Sequence, residues 1–144
     1  MTPTAENTRE AIEAGVDVII ATADGKVPVV AAGGLVDKRT VRAAFDLGAE
    51  GVYAGTAFLA TEESPLAENI KQDMLKYDAD DLLMFRAPNS LYRSLPGDYN
   101  CLLYGMRDGD LSRGIASFGL GISSIHSIDP VSVVVNRLNS GVIA

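Results

Sequence analysis

Two short runs hold the residues best suited to chemistry: Ala31-Ala32-Gly33-Gly34 and Tyr53-Ala54-Gly55-Thr56. Each follows an apolar, β-branched stretch, Val27-Pro28-Val29-Val30 in the first case and Gly51-Val52-Tyr53 in the second. Glycine lets the main chain come close to a ligand, and clustered backbone N–H groups suit an anion. Two such turns at the same ends of neighbouring parallel strands would converge their N–H groups on one point. A nearby helix N-terminus would add to the attraction. Phosphate binding is the chemistry this spacing predicts, set against the plainer reading of two tight turns that let a helix pack closely.

The elements that must position these turns are legible around them. Asp37 is a candidate N-cap, Val41, Ala44 and Phe45 fall at helical spacing, and Gly48 closes the pattern. The order is therefore strand, Gly-rich turn, helix, strand, Gly-Thr turn. In a (β/α)8 barrel the loops after the last two strands commonly bind phosphate groups. The expected fold class is α/β, an incomplete (β/α)8 TIM barrel comprising its last strands and helices plus a C-terminal helical segment. The chain reads as one domain over 1–144. Residues 1–62 supply the barrel units with the phosphate-binding turns, and 63–144 are expected to be mainly helical.

The same residues carry a family resemblance. Val27 to Gly34, then Leu47-Gly48-Ala49-Glu50-Gly51-Val52, then Gly55-Thr56-Ala57-Phe58-Leu59-Ala60-Thr61-Glu62-Glu63-Ser64 resemble the C-terminal part of nitronate monooxygenases. These are FMN-dependent flavoproteins, formerly called 2-nitropropane dioxygenases, and the flavin-dependent enoyl-acyl-carrier-protein reductases are related. The resemblance covers roughly Ala5 to Lys76 and is weaker over Ile122 to Ile128. It implies FMN as cofactor, its 5′-phosphate held by Gly33, Gly34, Gly55 and Thr56, and a small-molecule substrate. The activity implied is oxidation of a nitronate by oxygen through the flavin. One alternative is an NAD(P)H-dependent enoyl reductase-like enzyme, and another is a non-catalytic barrel fragment that keeps only the phosphate motif.

The chain departs from the family pattern at the catalytic position. Family members carry a histidine base on a Gly-rich loop after the strand that precedes the Ala-Ala-Gly-Gly strand. Here Val16 to Ala21 is followed only by Thr22-Ala23-Asp24-Gly25-Lys26. No catalytic residue is assigned. Five residues also cannot make the crossover of a dozen or so that parallel neighbours need. Either Asp24-Gly25 forms a hairpin turn or a loop and helix are absent, and the latter is the reading taken: a deleted or incomplete version of a longer enzyme. A full barrel needs about 250 residues, against 144 here. A similar abrupt join is suspected near Gly97 to Cys101.

Composition narrows the partners. The chain is 47% hydrophobic and 22% charged with a net charge of −7, which fits a globular domain and argues against nucleic acid or an anionic membrane. It has no Lys/Arg run, no apolar stretch of membrane-spanning length and no signal-peptide pattern at its start. The single cysteine, Cys101, excludes an internal disulfide and suits a reducing, cytoplasmic setting. No metal site is expected. A part-barrel would expose sheet edges and apolar surface, so self-association into a homo-oligomer is expected to be favoured.

The tail offers helices and a few further candidates. Ser64-Pro65 reads as an N-cap and first helical residue, with Leu66, Ile70 and Met74 on one face. Asp78 to Asp81 reads as the opening of another helix through Phe85. Asp129 reads as the cap of a last helix with Pro130 at its first position and Val131, Val134, Val135 and Leu138 apolar. The run Ser117, Gly119, Gly121 could approach a flavin ring, although such a run is commonly a plain loop. His126 reads as a surface histidine, Cys101 as an inert thiol, and the adjacent Glu62 and Glu63 as charges complementing a helix start. Arg86, Tyr92 and Arg93 could line a substrate mouth or simply meet solvent. Other phosphate-binding barrels of the inosine-monophosphate-dehydrogenase type use similar turns, but their catalytic cysteine sits on a Gly/Ser/Thr loop, unlike Cys101 in Tyr99-Asn100-Cys101-Leu102.

Overall fold

The structure, a computed structural model, describes residues 29–87, 90–97 and 102–142. The expected strand Val16 to Ala21, the Asp24-Gly25 turn, Cys101 and most of the suspected second join lie outside these residues.

Strand β1 (Val30–Ala32) and strand β2 (Gly51–Tyr53) pair in parallel, with Val30 opposite Gly51 and Ala32 opposite Tyr53. Helix α1 (Lys38–Asp46) makes the crossover between them. Its start is fixed by Asp37, whose carboxylate accepts the Arg39 and Thr40 N–H groups at 2.9 Å each, while the Thr40 hydroxyl takes the Asp37 N–H at 3.1 Å. Gly48 ends it in the left-handed region at φ 100°, a conformation that favours glycine. The strand–helix–strand order expected over this stretch is present. Helix α1 buries two sides: Ala44 meets Ala31, Leu35 and Ala49 under the sheet, and Val41 enters the main core.

Beyond β2 come a short helix α2 (Thr56–Leu59) and helix α3 (Glu68–Met74). Leu66, Ile70 and Met74 are buried in one row, as their spacing predicts. The helix begins later than expected, at Glu68, because the Ser64 hydroxyl accepts the Leu66 N–H and holds Ser64 and Pro65 in a preceding turn. The expected helix from Asp78 is replaced by a single 3-10 turn, Ala79–Asp81, and then an antiparallel hairpin of β3 (Leu83–Ala87) and β4 (Ser90–Ser94). The described residues after Glu62 therefore include an antiparallel hairpin beside their helices. The acidic run does cap a turn: Asp78 accepts the Asp80 N–H and Asp81 accepts the Asp78 N–H. The extended backbone of Leu82 (ψ 124°) stops that turn from propagating.

Helix α4 (Leu102–Met106), a second 3-10 turn (Leu120–Ser124) and helix α5 (Val131–Asn139) complete the described chain. Val134 and Leu138 of α5 are buried with Val41, Ile70, Met74, Leu95, Phe118 and Ile122. Asp129 does not cap α5. Its carboxylate instead takes the Ser127 hydroxyl and the Arg137 guanidinium, and Glu63 accepts the Val131 N–H. Pro130 stands one position before the helix, which begins at Val131. Among the described residues no helix is long and apolar enough to cross a membrane.

Candidate phosphate-binding site

Parallel pairing of β1 with β2 sends both chains out of the sheet on the same side. Gly33-Gly34 follows Ala32 directly, and Gly55-Thr56 begins two residues after its partner Tyr53. The four residues singled out by sequence thus sit on two turns at the same end of neighbouring strands. Gly33 and Gly34 adopt φ 92° and 66°, the left-handed region that side chains disfavour. A Cβ placed on Gly34 or on Gly55 would meet nothing within 4 Å. Both glycines therefore border open space, and neither is needed for close packing of neighbouring chain.

The two helix starts beside these turns differ in what they offer an anion. At α1 the Asp37 carboxylate already occupies the leading N–H groups, and Arg39 pairs with it at 2.8 Å. Burial pushes the Asp37 carboxyl up, but the Thr40 N–H, the Arg39 guanidinium and the Thr40 hydroxyl together hold it below the usual carboxylate range. This corrects the simplest form of the anion argument, because α1 brings its own negative charge. At α2 the N-cap is Gly55 and no side chain caps it. The leading N–H groups of a helix lack intrahelical acceptors, so Thr56 and Ala57 present donors there.

A third segment completes the arrangement. The Gly119 N–H donates to the Thr56 hydroxyl oxygen at 2.9 Å, across 63 positions of sequence. A Cβ on Gly121 would lie 3.4 Å from Gly34 Cα and 2.6 Å from Val36 Cγ1, so here only glycine fits. The Gly/Ser-rich run is delivered by the sheet end: Leu95 N–H donates to Ala116 C=O, Phe118 N–H to Arg93 C=O, and Ala116 N–H to the fully buried Ser94 hydroxyl. Ser117 is taken up opposite Ser94 in an antiparallel bridge. The Ser123 hydroxyl accepts the Ala79 N–H at 2.8 Å. Gly119 and Gly121 stand in a glycine-rich run that carries no local mark of its contacts with Thr56 and Gly34.

The remaining candidates fall elsewhere. His126 is exposed, Arg86 and Tyr92 are exposed, and Glu63 is committed to α5. Glu62 N–H donates to Asp129 C=O. Among the described residues no group of histidine, cysteine or carboxylate side chains is arranged to hold a metal ion.

The nitronate monooxygenase family model matches residues 9–98. A probable nitronate monooxygenase of Staphylococcus haemolyticus is 42% identical over 82 residues, covering 56% of this chain and 23% of that protein. A probable nitronate monooxygenase of Staphylococcus aureus is 41% identical over 61 residues, covering 42% of this chain and 17% of that protein. The chain thus spans less than a quarter of the length of these curated relatives. Among solved structures, FabK from Thermotoga maritima superposes with a TM-score of 0.76 at 24% identity, over 94% of this chain and 57% of that one. A point mutant of the same FabK gives 0.72 at 31% identity, over 79% and 41%. The α/β architecture described above is thus shared with FabK-type TIM-barrel proteins over 57% and 41% of those two chains.

Proposed function

We propose, on the premise that this chain belongs to the nitronate monooxygenase family, that it is the phosphate-binding part of an FMN-dependent oxidoreductase that oxidises a nitronate with oxygen. The observation that carries the reading is the convergence of Gly33-Gly34 and Gly55-Thr56 at one end of a parallel strand pair, with open space at Gly34 and Gly55. The donor set fits a phosphate: main-chain N–H groups, one hydroxyl, no capping carboxylate at Gly55, and two glycines whose missing side chains leave room. FMN, when bound, supplies the electron-accepting isoalloxazine that does the redox chemistry.

The chain's own part is binding and orientation. Gly33 and Gly34 would bring the main chain close to the phosphate, and Thr56 with the start of α2 would offer it further donors. Anchoring the phosphate fixes one end of the cofactor and limits where its ring can lie. No residue of this chain is assigned as the base that takes the substrate proton. A small-molecule substrate and a cytoplasmic setting belong to the same reading.

A second reading is favoured by the structural similarity to FabK: a flavin enzyme reduced by NAD(P)H that acts on an enoyl substrate. The test begins with the absorbance spectrum of the purified protein, with FMN added if it is colourless. Flavin bands that survive a desalting column support the cofactor assignment. A colourless protein that releases added FMN overturns it and leaves a non-catalytic fragment that keeps only the motif. With flavin bound, bleaching by a nitronate under anaerobic conditions favours the oxidase reading, and bleaching by NADPH or NADH favours the reductase.

A further inference from the structure

We propose that the Gly119 main chain is a third wall of the phosphate cradle, and that its N–H positions the Thr56 hydroxyl so that the Thr56 proton is aimed at the flavin phosphate. This rests on the cofactor reading above and adds a positioning residue to it. A threonine hydroxyl has one proton to donate and two lone pairs to accept with. The Gly119 N–H, 2.9 Å from Thr56 Oγ1, occupies one acceptor direction. What remains for a ligand is the O–H, and a phosphate oxygen is a pure acceptor, so the polarity matches.

The position of Gly119 is not accidental in the fold. Residues 116–118 are tied to Arg93, Ser94 and Leu95 by main-chain bonds and by the Ser94 hydroxyl. Two residues further on, Gly121 rests against Gly34 so closely that a methyl group there would collide with Val36. One hydrogen-bonded run therefore touches both turns, at Thr56 and at Gly34. A Cβ on Gly119 would stand 3.2 Å from Thr56 Oγ1, tight enough to disturb the contact. The backbone of Gly119 lies at φ −86°, near the range a proline adopts. Gly119→Pro thus removes the N–H with little change in φ, and its ring Cδ, standing where the amide hydrogen was, forces Thr56 Oγ1 out of its place.

The experiment measures the dissociation constants of FMN and of riboflavin, which lacks the phosphate, by quenching of flavin fluorescence. The proteins are the full chain and its Thr56→Val, Thr56→Ser, Gly119→Pro and Thr56→Val/Gly119→Pro variants. The expected result is that Thr56→Val and Gly119→Pro each lose about tenfold in FMN affinity, the scale of one charge-assisted hydrogen bond, with riboflavin affinity unchanged. Thr56→Ser stays near wild type, and the double variant loses no more than either single one because the two groups act as a unit. A Gly119→Pro protein that keeps the wild-type ratio of FMN to riboflavin affinity overturns the proposal while leaving the cofactor assignment standing. Wild-type protein that binds neither flavin overturns both.

If Gly119→Pro does not fold, the Gly119 amide resonance of the wild-type protein decides. A hydroxyl that donates to phosphate becomes a stronger acceptor, so the amide proton shifts downfield with FMN and not with riboflavin. Equal shifts with both flavins overturn the proposal.

Discussion

Both carboxylate oxygens of Glu63 lie within hydrogen-bond distance of the Val131 N–H, at 3.1 and 2.9 Å, although 68 positions separate the two residues. The contact places a negative side chain at the start of α5, where the leading N–H groups need acceptors. It also fixes the segment that follows the Gly55-Thr56 turn. Thr61 bridges Asp129 in parallel, Glu62 N–H donates to Asp129 C=O, and the Lys71 ammonium, buried from α3, donates to Glu62 C=O at 3.1 Å. The segment after the Gly55-Thr56 turn is thus tied to the last helix by main chain and side chain together.

Removing this cap is expected to loosen α5 and leave the site intact. Glu63→Ala should lower stability by about 1 kcal/mol, the usual scale for a lost helix cap, read as a melting-point drop of roughly 3 °C for a chain of this size. Glu63→Gln keeps an acceptor and should fall between the two. Thermal denaturation followed by circular dichroism checks the order. A Glu63→Ala protein as stable as wild type would show that the contact contributes nothing.

The two open glycines separate strain from ligand space. Gly34→Ala forces a side chain into φ 66° and should destabilise the fold by about 1–2 kcal/mol. Gly55 lies at φ −113°, an ordinary conformation, and a methyl there meets nothing. Gly55→Ala should therefore melt with wild type yet bind FMN more weakly, with riboflavin binding preserved. Chemical denaturation paired with flavin titration distinguishes the two, and unchanged FMN binding in Gly55→Ala would remove that turn from the cradle.

Acid should weaken the α1 start in a defined direction. The Asp37 carboxyl titrates below its ordinary value of 3.8 in the folded chain. A depressed folded pKa contributes stability above the unfolded value, and that contribution is lost as the pH falls through the folded one. Asp37→Asn retains a capping oxygen but does not titrate. The stability difference between wild type and Asp37→Asn should be constant at neutral pH and shrink once the pH drops below 3.8. Urea melts across that range supply the test, and a difference that grows in acid would reverse the assignment.

Among the described glycines, the buried Gly105 meets the closest neighbouring main chain. In α4 its Cβ position overlaps the main chain of Ile115, which leads into the run that carries Gly119. Gly105→Ala, normally favourable inside a helix, should instead cost about 1–3 kcal/mol through overpacking. Denaturant unfolding measures this. A stabilised variant would mean that α4 and the 114–116 segment are free to separate.

What the sequence determined by itself was local. The Asp37 cap, the Val41 and Ala44 spacing and the Gly48 stop each lie within four residues of the next, and α1 forms where they put it. The Leu66, Ile70 and Met74 row is buried for the same reason, since one helical period decides which side chains share a face. The paired glycine turns were legible too, because the strands before them and the helix between them leave few other arrangements.

The tertiary structure decided every relationship that joins distant positions. Asp78-Ala79-Asp80-Asp81 caps only a 3-10 turn, and Leu83 onward extends because its main-chain partners lie across the hairpin at Arg93 and Ser94, not four residues away. Asp129 turns from the α5 start to Arg137 and Ser127, because Glu63, brought in by the Thr61–Asp129 bridge, meets the Val131 N–H. Gly119 finds Thr56, and Gly121 finds Gly34, only once β4 has positioned the 116–118 segment. Local signals are written in spacing, which any stretch of chain carries with it. A hydrogen bond across 63 residues depends on where the whole core places both ends, and no residue type or spacing near either end records it.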